Sequence, residues 1–188
     1  MQFEIAYRPG QSMARAVLAP GEQLVAESGA MVGMSTNVHM ETSSGGVMAG
    51  LKRMFGGESF FRNTFTAQNG PGEVLLGQTL CGDMVALDMT PEGYFVQSAS
   101  FIASSAGVNI DTKVGGVRSF FAGEGVFILK ATASQPGQLL LGAFGGIQEL
   151  RCDGNLVIDT GHLVAWDATL QYKVGKSGDG WIDSFLSG

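Results

Sequence analysis

The same short pattern occurs three times in this chain, first as Val25-Ala26-Glu27-Ser28-Gly29-Ala30-Met31-Val32-Gly33. It returns as VQSASFIA at residues 96–103 and as IDTGHLVA at residues 158–165. No gap is needed when Ser28 is matched to Ser98 and Thr160, which lie 70 and then 62 positions further along. Such spacings leave room for several strands of ordinary length. We therefore expect one domain, residues 1–188, made of three copies over about residues 1–58, 59–124 and 125–188.

The match between the copies continues beyond this pattern. Val38-His39-Met40, Val108-Asn109-Ile110 and Leu170-Gln171-Tyr172 each carry apolar residues two positions apart. That spacing is typical of a strand with one buried face. The sequence therefore predicts an all-β fold in which each copy contributes this strand.

Each copy also contains a Pro-Gly pair: Pro9-Gly10, Pro71-Gly72 and Pro136-Gly137. Proline and glycine in this order favour a type II turn, in which the glycine has a positive φ. Short apolar runs follow the second and third pairs, at residues 74–77 and 139–142. We predict a type II turn and then a buried strand at these places.

Glycine-flanked connectors separate the copies, at residues 45–58 and 115–124. The first could form a helical turn or two over residues 47–55 with one apolar side. We predict that it supplies an interface, whose candidate residues are Met48, Leu51, Lys52, Arg53, Met54 and Phe55. A second copy of the chain, another protein or lipid headgroups are all possible partners for it.

The matching third connector, residues 177–188, is not followed by the strand that follows the first two. We expect one of two solutions if threefold closure needs that strand. Either the natural chain continues beyond Gly188, or the N-terminal strand from Phe3 fills the vacancy.

Charge and composition exclude several classes of protein. The formal charge is −6, and no more than two cations are adjacent, so no nucleic-acid partner is expected. Cys81 and Cys152 have no metal-site or disulfide spacing and are predicted to be free, mostly buried thiols in the cytoplasm. The first residues lack a signal-peptide pattern, and no apolar run is long enough to span a membrane.

One motif suggests catalysis, because Asp159-Thr160-Gly161 has the form of an aspartic-protease loop. Such a protease needs two apposed aspartates, but the matched positions in the other copies hold Glu27 and Gln97. A repeated turn or strand entry is therefore the preferred interpretation. His162 follows directly, and Asp159 with His162 forms the one polar site that we single out.

No established cofactor, metal or catalytic site is predicted. His39 and His162 are far apart in the sequence and show no metal-ligand spacing. Residues 45–52 approximate a phosphate-binding loop, but Lys52 falls one place late and no Ser or Thr follows it. We expect a protein that is not an enzyme.

Over nearly its whole length the sequence resembles the altered-inheritance-of-mitochondria family. The resemblance is carried by residues 50–55, 57–61, 63–67 and 157–166. It implies three pseudo-symmetric repeats in a β-prism or double-stranded β-helix, similar to the fold of the tryptophan RNA-binding attenuation protein. It also implies oligomerisation and, in mitochondrial relatives, a role in organising inner-membrane complexes. Family members typically run on into another Gly-rich hairpin, and no catalytic activity is implied.

We expect a non-enzymatic, self-associating scaffold or adaptor protein, since three β-units occur without a cluster of titratable residues. The alternative is a β-domain that binds a small ligand or a carbohydrate through exposed aromatic residues such as Tyr94, Trp166 and Trp181. RNA binding, by analogy with the attenuation protein, is opposed by the acidic charge.

Overall fold

A computed structural model of the chain describes residues 1–42, 62–111 and 127–173. These residues form fourteen strands and two single-turn 3-10 helices, Ser98–Ser100 and Thr160–His162. The strands are β1 Phe3–Ala6, β2 Met13–Leu18, β3 Gln23–Glu27, β4 Met31–Met34, β5 Val38–Thr42, β6 Arg62–Ala67, β7 Gly72–Leu76, β8 Gly82–Asp88, β9 Tyr94–Gln97, β10 Phe101–Ser105, β11 Val108–Asp111, β12 Ile128–Ala133, β13 Gln138–Phe144 and β14 Ala165–Asp167. The all-β prediction is confirmed.

The strands make three sheets, none of which closes on itself within the described residues. Sheet A has the order β1-β2-β7-β4, sheet B the order β5-β6-β3-β10-β13-β8, and sheet C the order β11-β12-β9-β14. All the strand pairs are antiparallel. The N-terminal strand β1 pairs with β2 at the edge of sheet A.

Two apolar cores lie on opposite faces of sheet B. The first core joins sheet A to sheet B and includes Leu18, Leu24 and Phe65. The second joins sheet B to sheet C and includes Phe101 and Leu129. Strand β13 serves both cores, because alternate side chains of a strand point to opposite faces. Its run of buried leucines is the expected signature of a strand that is covered on both sides.

One pairing order occurs twice. Strand β7 lies between β2 and β4, and strand β13 lies between β8 and β10. The register also shifts at matching places, at Val32 between β4 and β7 and at Ile102 between β10 and β13. Val32 and Ile102 are 70 positions apart, the same offset that aligns Ser28 with Ser98.

The links between neighbouring groups of strands follow the same offsets. Ala103 of β10 lies opposite Ala26 of β3, which joins the two halves of sheet B. Ala165 of β14 lies opposite Val96 of β9 in sheet C. Ala26 lies 70 positions before Val96, and Ala103 lies 62 positions before Ala165. The offsets of the sequence alignment therefore convert the first pair into the second.

The strands predicted at residues 38–40 and 108–110 are present as β5 and β11. The strand predicted at Leu170–Tyr172 is not, because this stretch is a bend and coil. Strands β5 and β11 hydrogen-bond to β6 and β12 respectively. Leu170–Tyr172 has no such partner among the described residues, and an apolar alternation without a ladder partner does not form a strand.

The buried strands after the second and third Pro-Gly pairs are confirmed as β7 and β13. The type II turns are wrong, because Gly10, Gly72 and Gly137 do not have positive φ angles. At Gly72 close packing explains the glycine, since a Cβ atom there would lie 2.5 Å from Val38 Cγ2. The positive φ before that strand is at Gly70 instead.

Cys81 and Cys152 are free, as predicted, but both are exposed, so the prediction that they are buried is wrong. Cys81 lies in the connection between β7 and β8, and Cys152 in coil after β13. No helix among residues 1–42, 62–111 and 127–173 is long and apolar enough to cross a membrane.

Candidate functional site

Asp159 and His162 come together at the start of a single helical turn. The Asp159 side chain caps this turn by accepting a hydrogen bond from the Gly161 amide, 3.0 Å from Oδ2. The same Oδ2 atom lies 3.1 Å from His162 Nδ1. The turn is anchored to β9, where Gln97 Nε2 donates to the carbonyl oxygen of Thr160.

This polar site is open to water. The His162 side chain is 84% exposed and the Asp159 side chain 49% exposed. The hydrogen bond from His162 is the main cause that lowers the pKa of Asp159. A carboxylate with a lowered pKa is a poor general base near neutral pH, and a pair surrounded by solvent has no desolvated cavity in which to work. The geometry supports the interpretation of Asp159 as a turn cap.

The matched positions do not bring a second aspartate to this site. Glu27 ends β3 in sheet B, whereas Gln97 ends β9 and contacts the turn through its amide. His39 lies on β5, 3.5 Å from Glu41, and its side chain is 54% exposed. Within the described parts of the chain, no group of three or more His, Cys, Asp or Glu side chains is placed to hold a metal ion.

The aromatic residues proposed as ligand contacts pack against protein instead. Trp166 lies beside Phe95 and Tyr172, with ring centroids 5.5 Å and 5.2 Å away. Its indole Nε1 is buried and has no hydrogen-bond partner in the described structure. Tyr94 is half-buried, its hydroxyl donates to the Asp88 carbonyl, and burial raises its pKa. The expectation that Tyr94 and Trp166 are exposed is therefore wrong, and Trp181 lies outside the described residues.

A buried ionic cluster that the sequence does not reveal surrounds Asp83. Arg8 donates to both carboxylate oxygens, with distances of 2.7 Å from Nε and 2.9 Å from Nη2. Ser12 Oγ and the amides of Met84 and Ile147 also donate to this carboxylate. The hydrogen bond from Arg8 is the leading cause that holds the pKa of Asp83 well below its usual range. The cluster ties the loop before β2 to β8 and to the chain after β13.

An open polar groove lies beside the N-terminus, between the turns that join β2 to β3, β10 to β11 and β12 to β13. Its lining includes Glu22, Asp88 and Gln138. The N-terminal amine is paired with Glu22. Gln138 donates to Asp88 from its side-chain amide and accepts from the Phe3 amide, at 2.8 Å and 3.0 Å. The groove thus presents fixed amide and carboxylate groups to solvent.

Strand β4 and the coil segment at residues 155–158 each have a backbone edge without a ladder among the described residues. Strand β4 is the last strand of sheet A, so one of its edges carries no ladder. Val32 and Met34 on this strand are 61% and 40% exposed. Residues 155–158 form no strand, although Leu156 and Val157 are apolar and 51% and 96% exposed. These are the features that most resemble binding surfaces in the described structure.

The candidate interface of the first connector, Met48, Leu51, Lys52, Arg53, Met54 and Phe55, lies outside the described residues, as do residues 115–124 and 177–188. Nothing in the described structure tests the prediction made for them. That interface stays a prediction.

A family model described as Mitochondrial biogenesis AIM24 matches residues 3–188. The chain belongs to the AIM24 family. The resemblance seen in residues 50–67 and 157–166 is therefore confirmed for the family. Because the AIM24 model spans both described cores and the polar site, family membership covers the whole domain rather than one part of it.

Among proteins, this AIM24 chain is 30% identical over 182 residues to an uncharacterized protein of Streptococcus pyogenes serotype M6, which covers 91% of this chain and 72% of that protein. Among solved structures, it is similar to the crystal structure of a Streptococcus pyogenes protein, with a TM-score of 0.80 and 25% identity. That match covers 99% of this chain and 84% of the other. Neither relative brings an activity to the AIM24 chain.

Proposed function

We propose that this AIM24-family protein is a non-enzymatic scaffold or adaptor that associates with itself, and that it is built from three copies of one β-unit in a β-prism. The proposal for the fold is supported by the repeated pairing order and by the two strand links, Ala103 with Ala26 and Ala165 with Val96.

One observation carries the functional proposal. The third-copy residues Ile158, Leu170 and Tyr172 are 37%, 39% and 36% exposed. The residues that the alignment matches to them in the second copy are Val96, Val108 and Ile110, which are 0%, 6% and 7% exposed. The third unit therefore presents to solvent an apolar face that its counterpart buries.

An exposed apolar face of this kind favours association. Burial of apolar surface stabilises a complex by about 25 cal/mol per Å² removed from water. Contiguous exposed apolar patches of soluble proteins usually mark sites of protein–protein contact. The polar site at Asp159 and His162 has no assigned role in this proposal.

Light scattering coupled to size-exclusion chromatography tests the proposal. At micromolar concentration we expect a mass at least twice the 19.6 kDa of one chain. The variant Leu170→Asp should lower that mass, because it places a charge on the apolar face. The matched control is Phe144→Asp, since Phe144 is 80% exposed at the end of β13 and does not align with a core position. A wild-type protein that runs as a monomer would overturn the proposal.

The polar groove favours a second candidate function, the binding of a small polar ligand. The side chains of Gln138 and Asp88 are already held in place by hydrogen bonds, which lowers the cost of ordering them around a ligand. A thermal-shift screen of small amines, sugars and amino acids checks this. We expect any true ligand to raise the melting temperature of the wild type but not of Gln138→Ala, and a screen without hits contradicts this candidate.

A further inference from the structure

Resting on the proposed self-association, we propose that the free edge of β4 is the docking site for residues 155–158 of a second copy of this chain. The two segments pair antiparallel, with Gly33 opposite Ile158 and Met34 opposite Val157. A strand added to an exposed sheet edge is a common mode of protein recognition.

The register of this pair follows from the two strand links present within the chain. In sheet B, β10 pairs with β3 through Ala103 and Ala26, and in sheet C, β14 pairs with β9 through Ala165 and Val96. In both links the strand at the β4 position of one copy pairs with the strand at the β3 position of the copy before it. Strand β4 itself belongs to the first copy, so its counterpart is the segment at the β3 position of the third.

The offsets of the alignment give that counterpart a residue number. Residue 33 is 70 positions before Ala103, and residue 158 is 62 positions after Val96. Gly33 therefore takes the place of Ala103 and Ala165, and Ile158 takes the place of Ala26 and Val96. The next pair outward is Met34 with Val157.

The two surfaces suit each other chemically. Met34 and Val157 are apolar and are 40% and 96% exposed, so their pairing removes both from water. Gly33 leaves room for Ile158, because a Cβ atom on Gly33 would meet nothing within 4 Å. The unpaired amides and carbonyls of both segments gain ladder partners, which isolated edge strands lack.

A second copy is the occupant because neither segment has a ladder partner at this edge among the described residues. Strand β4 has one neighbour, β7, and residues 155–158 join no strand pair in the described structure. Each molecule thus carries one acceptor edge and one donor strand at different places. Such a head-to-tail contact uses two different surfaces and produces rings or open chains rather than a simple twofold dimer.

Cysteine cross-linking between two different variants tests the contact. In a background of Cys81→Ser and Cys152→Ser, one protein carries Met34→Cys and the other carries Val157→Cys. Under mild oxidation we expect a covalent dimer when the two are mixed, and little dimer from either alone. Mixing Leu80→Cys with Val157→Cys is the matched control, because Leu80 is also exposed but lies outside β4.

The variant that carries both Met34→Cys and Val157→Cys separates the remaining outcomes. A ladder of covalent oligomers supports the proposal. A cross-linked monomer, together with no dimer in the mixture, overturns it and shows that the chain closes on itself. An oligomer seen by light scattering without any cross-link also overturns it, but leaves the proposed scaffold function in place.

Discussion

Arg8 donates two hydrogen bonds to the carboxylate of Asp83, although 75 positions separate these residues in the sequence. The Asp83 side chain is 3% exposed and the Arg8 side chain 47% exposed. The aspartate is therefore a buried charge that is neutralised by a cation reaching in from the surface. Removing the carboxylate leaves the donors of Arg8, Ser12 and Met84 without their acceptor.

We expect Asp83→Ala to lower the free energy of unfolding by about 2–4 kcal/mol, and Arg8→Ala by about 1–3 kcal/mol, because Ser12 and Met84 still bind the carboxylate in the second variant. Urea denaturation followed by circular dichroism measures both. The control is Arg15→Ala, whose partners Glu4 and Glu73 are exposed; its loss should be smaller than that of either variant of the Asp83 cluster. A larger loss for Arg15→Ala than for Asp83→Ala would contradict this ranking.

The same carboxylate predicts how stability depends on pH. Its pKa in the folded protein is lowered, while an aspartate in an unfolded chain titrates near ~3.9. Lowering the pH therefore protonates the unfolded state first, so the stabilisation is complete above about pH 5 and declines steadily below about pH 4. Urea midpoints measured from about pH 5 down to about pH 2 should fall for the wild type and fall less steeply for Asp83→Asn. If the midpoints of the two proteins fall equally with pH, groups other than Asp83 determine the pH dependence of stability.

Gly72 should tolerate no side chain, because a Cβ atom would press against Val38 at the start of β5. We expect Gly72→Ala to destabilise the protein by about 1–3 kcal/mol, the usual effect of overpacking a core. Gly10→Ala is the control, since its Cβ atom would be in open space, and its effect should stay within about 0.5 kcal/mol. Thermal unfolding of the two variants measures the difference between their stabilities. Equal stabilities would show that Val38 moves aside to admit the new methyl group.

Asp159 and His162 should be dispensable for folding and assembly. Both are exposed, and the capping hydrogen bond to Gly161 holds one short turn. We expect the double variant Asp159→Ala with His162→Ala to change the free energy of unfolding by less than about 1 kcal/mol. Its mass by light scattering should equal that of the wild type. A change in mass would assign these two residues to the interface.

Local pattern was sufficient to predict some elements and not others. The strands β11 and β13 were predicted because an apolar alternation or a run of leucines shows directly which faces are buried. Strand β5 was predicted from the same alternation, although only Val38 is buried there and Met40 is 37% exposed. Leu170–Tyr172 has the same alternation but no ladder partner among the described residues, and a local pattern does not show which strand a segment will pair with. The type II turns predicted at Gly72 and Gly137 are wrong for a related reason. The glycine at position 72 is required by its close contact with Val38, which is distant in sequence.

The candidate site was likewise predicted only in part from the sequence. The comparison of Asp159 with Glu27 and Gln97 already argued against a protease, and the exposed geometry agrees with it. The Arg8–Asp83 pair could not be anticipated, because an isolated arginine and an isolated aspartate carry no sign that they will meet. The burial of Trp166 is likewise set by Phe95 and Tyr172, which only the folded chain brings alongside it.

Strand β13 contributes Leu140 to the first core and its neighbours Leu139 and Leu141 to the second. Neither core can unfold without losing β13, which forms part of the other core. The protein should therefore unfold as a single cooperative unit, so that a calorimetric scan shows one transition whose van't Hoff and calorimetric enthalpies agree. The two cores share this strand, so they cannot be separated into independently folding modules.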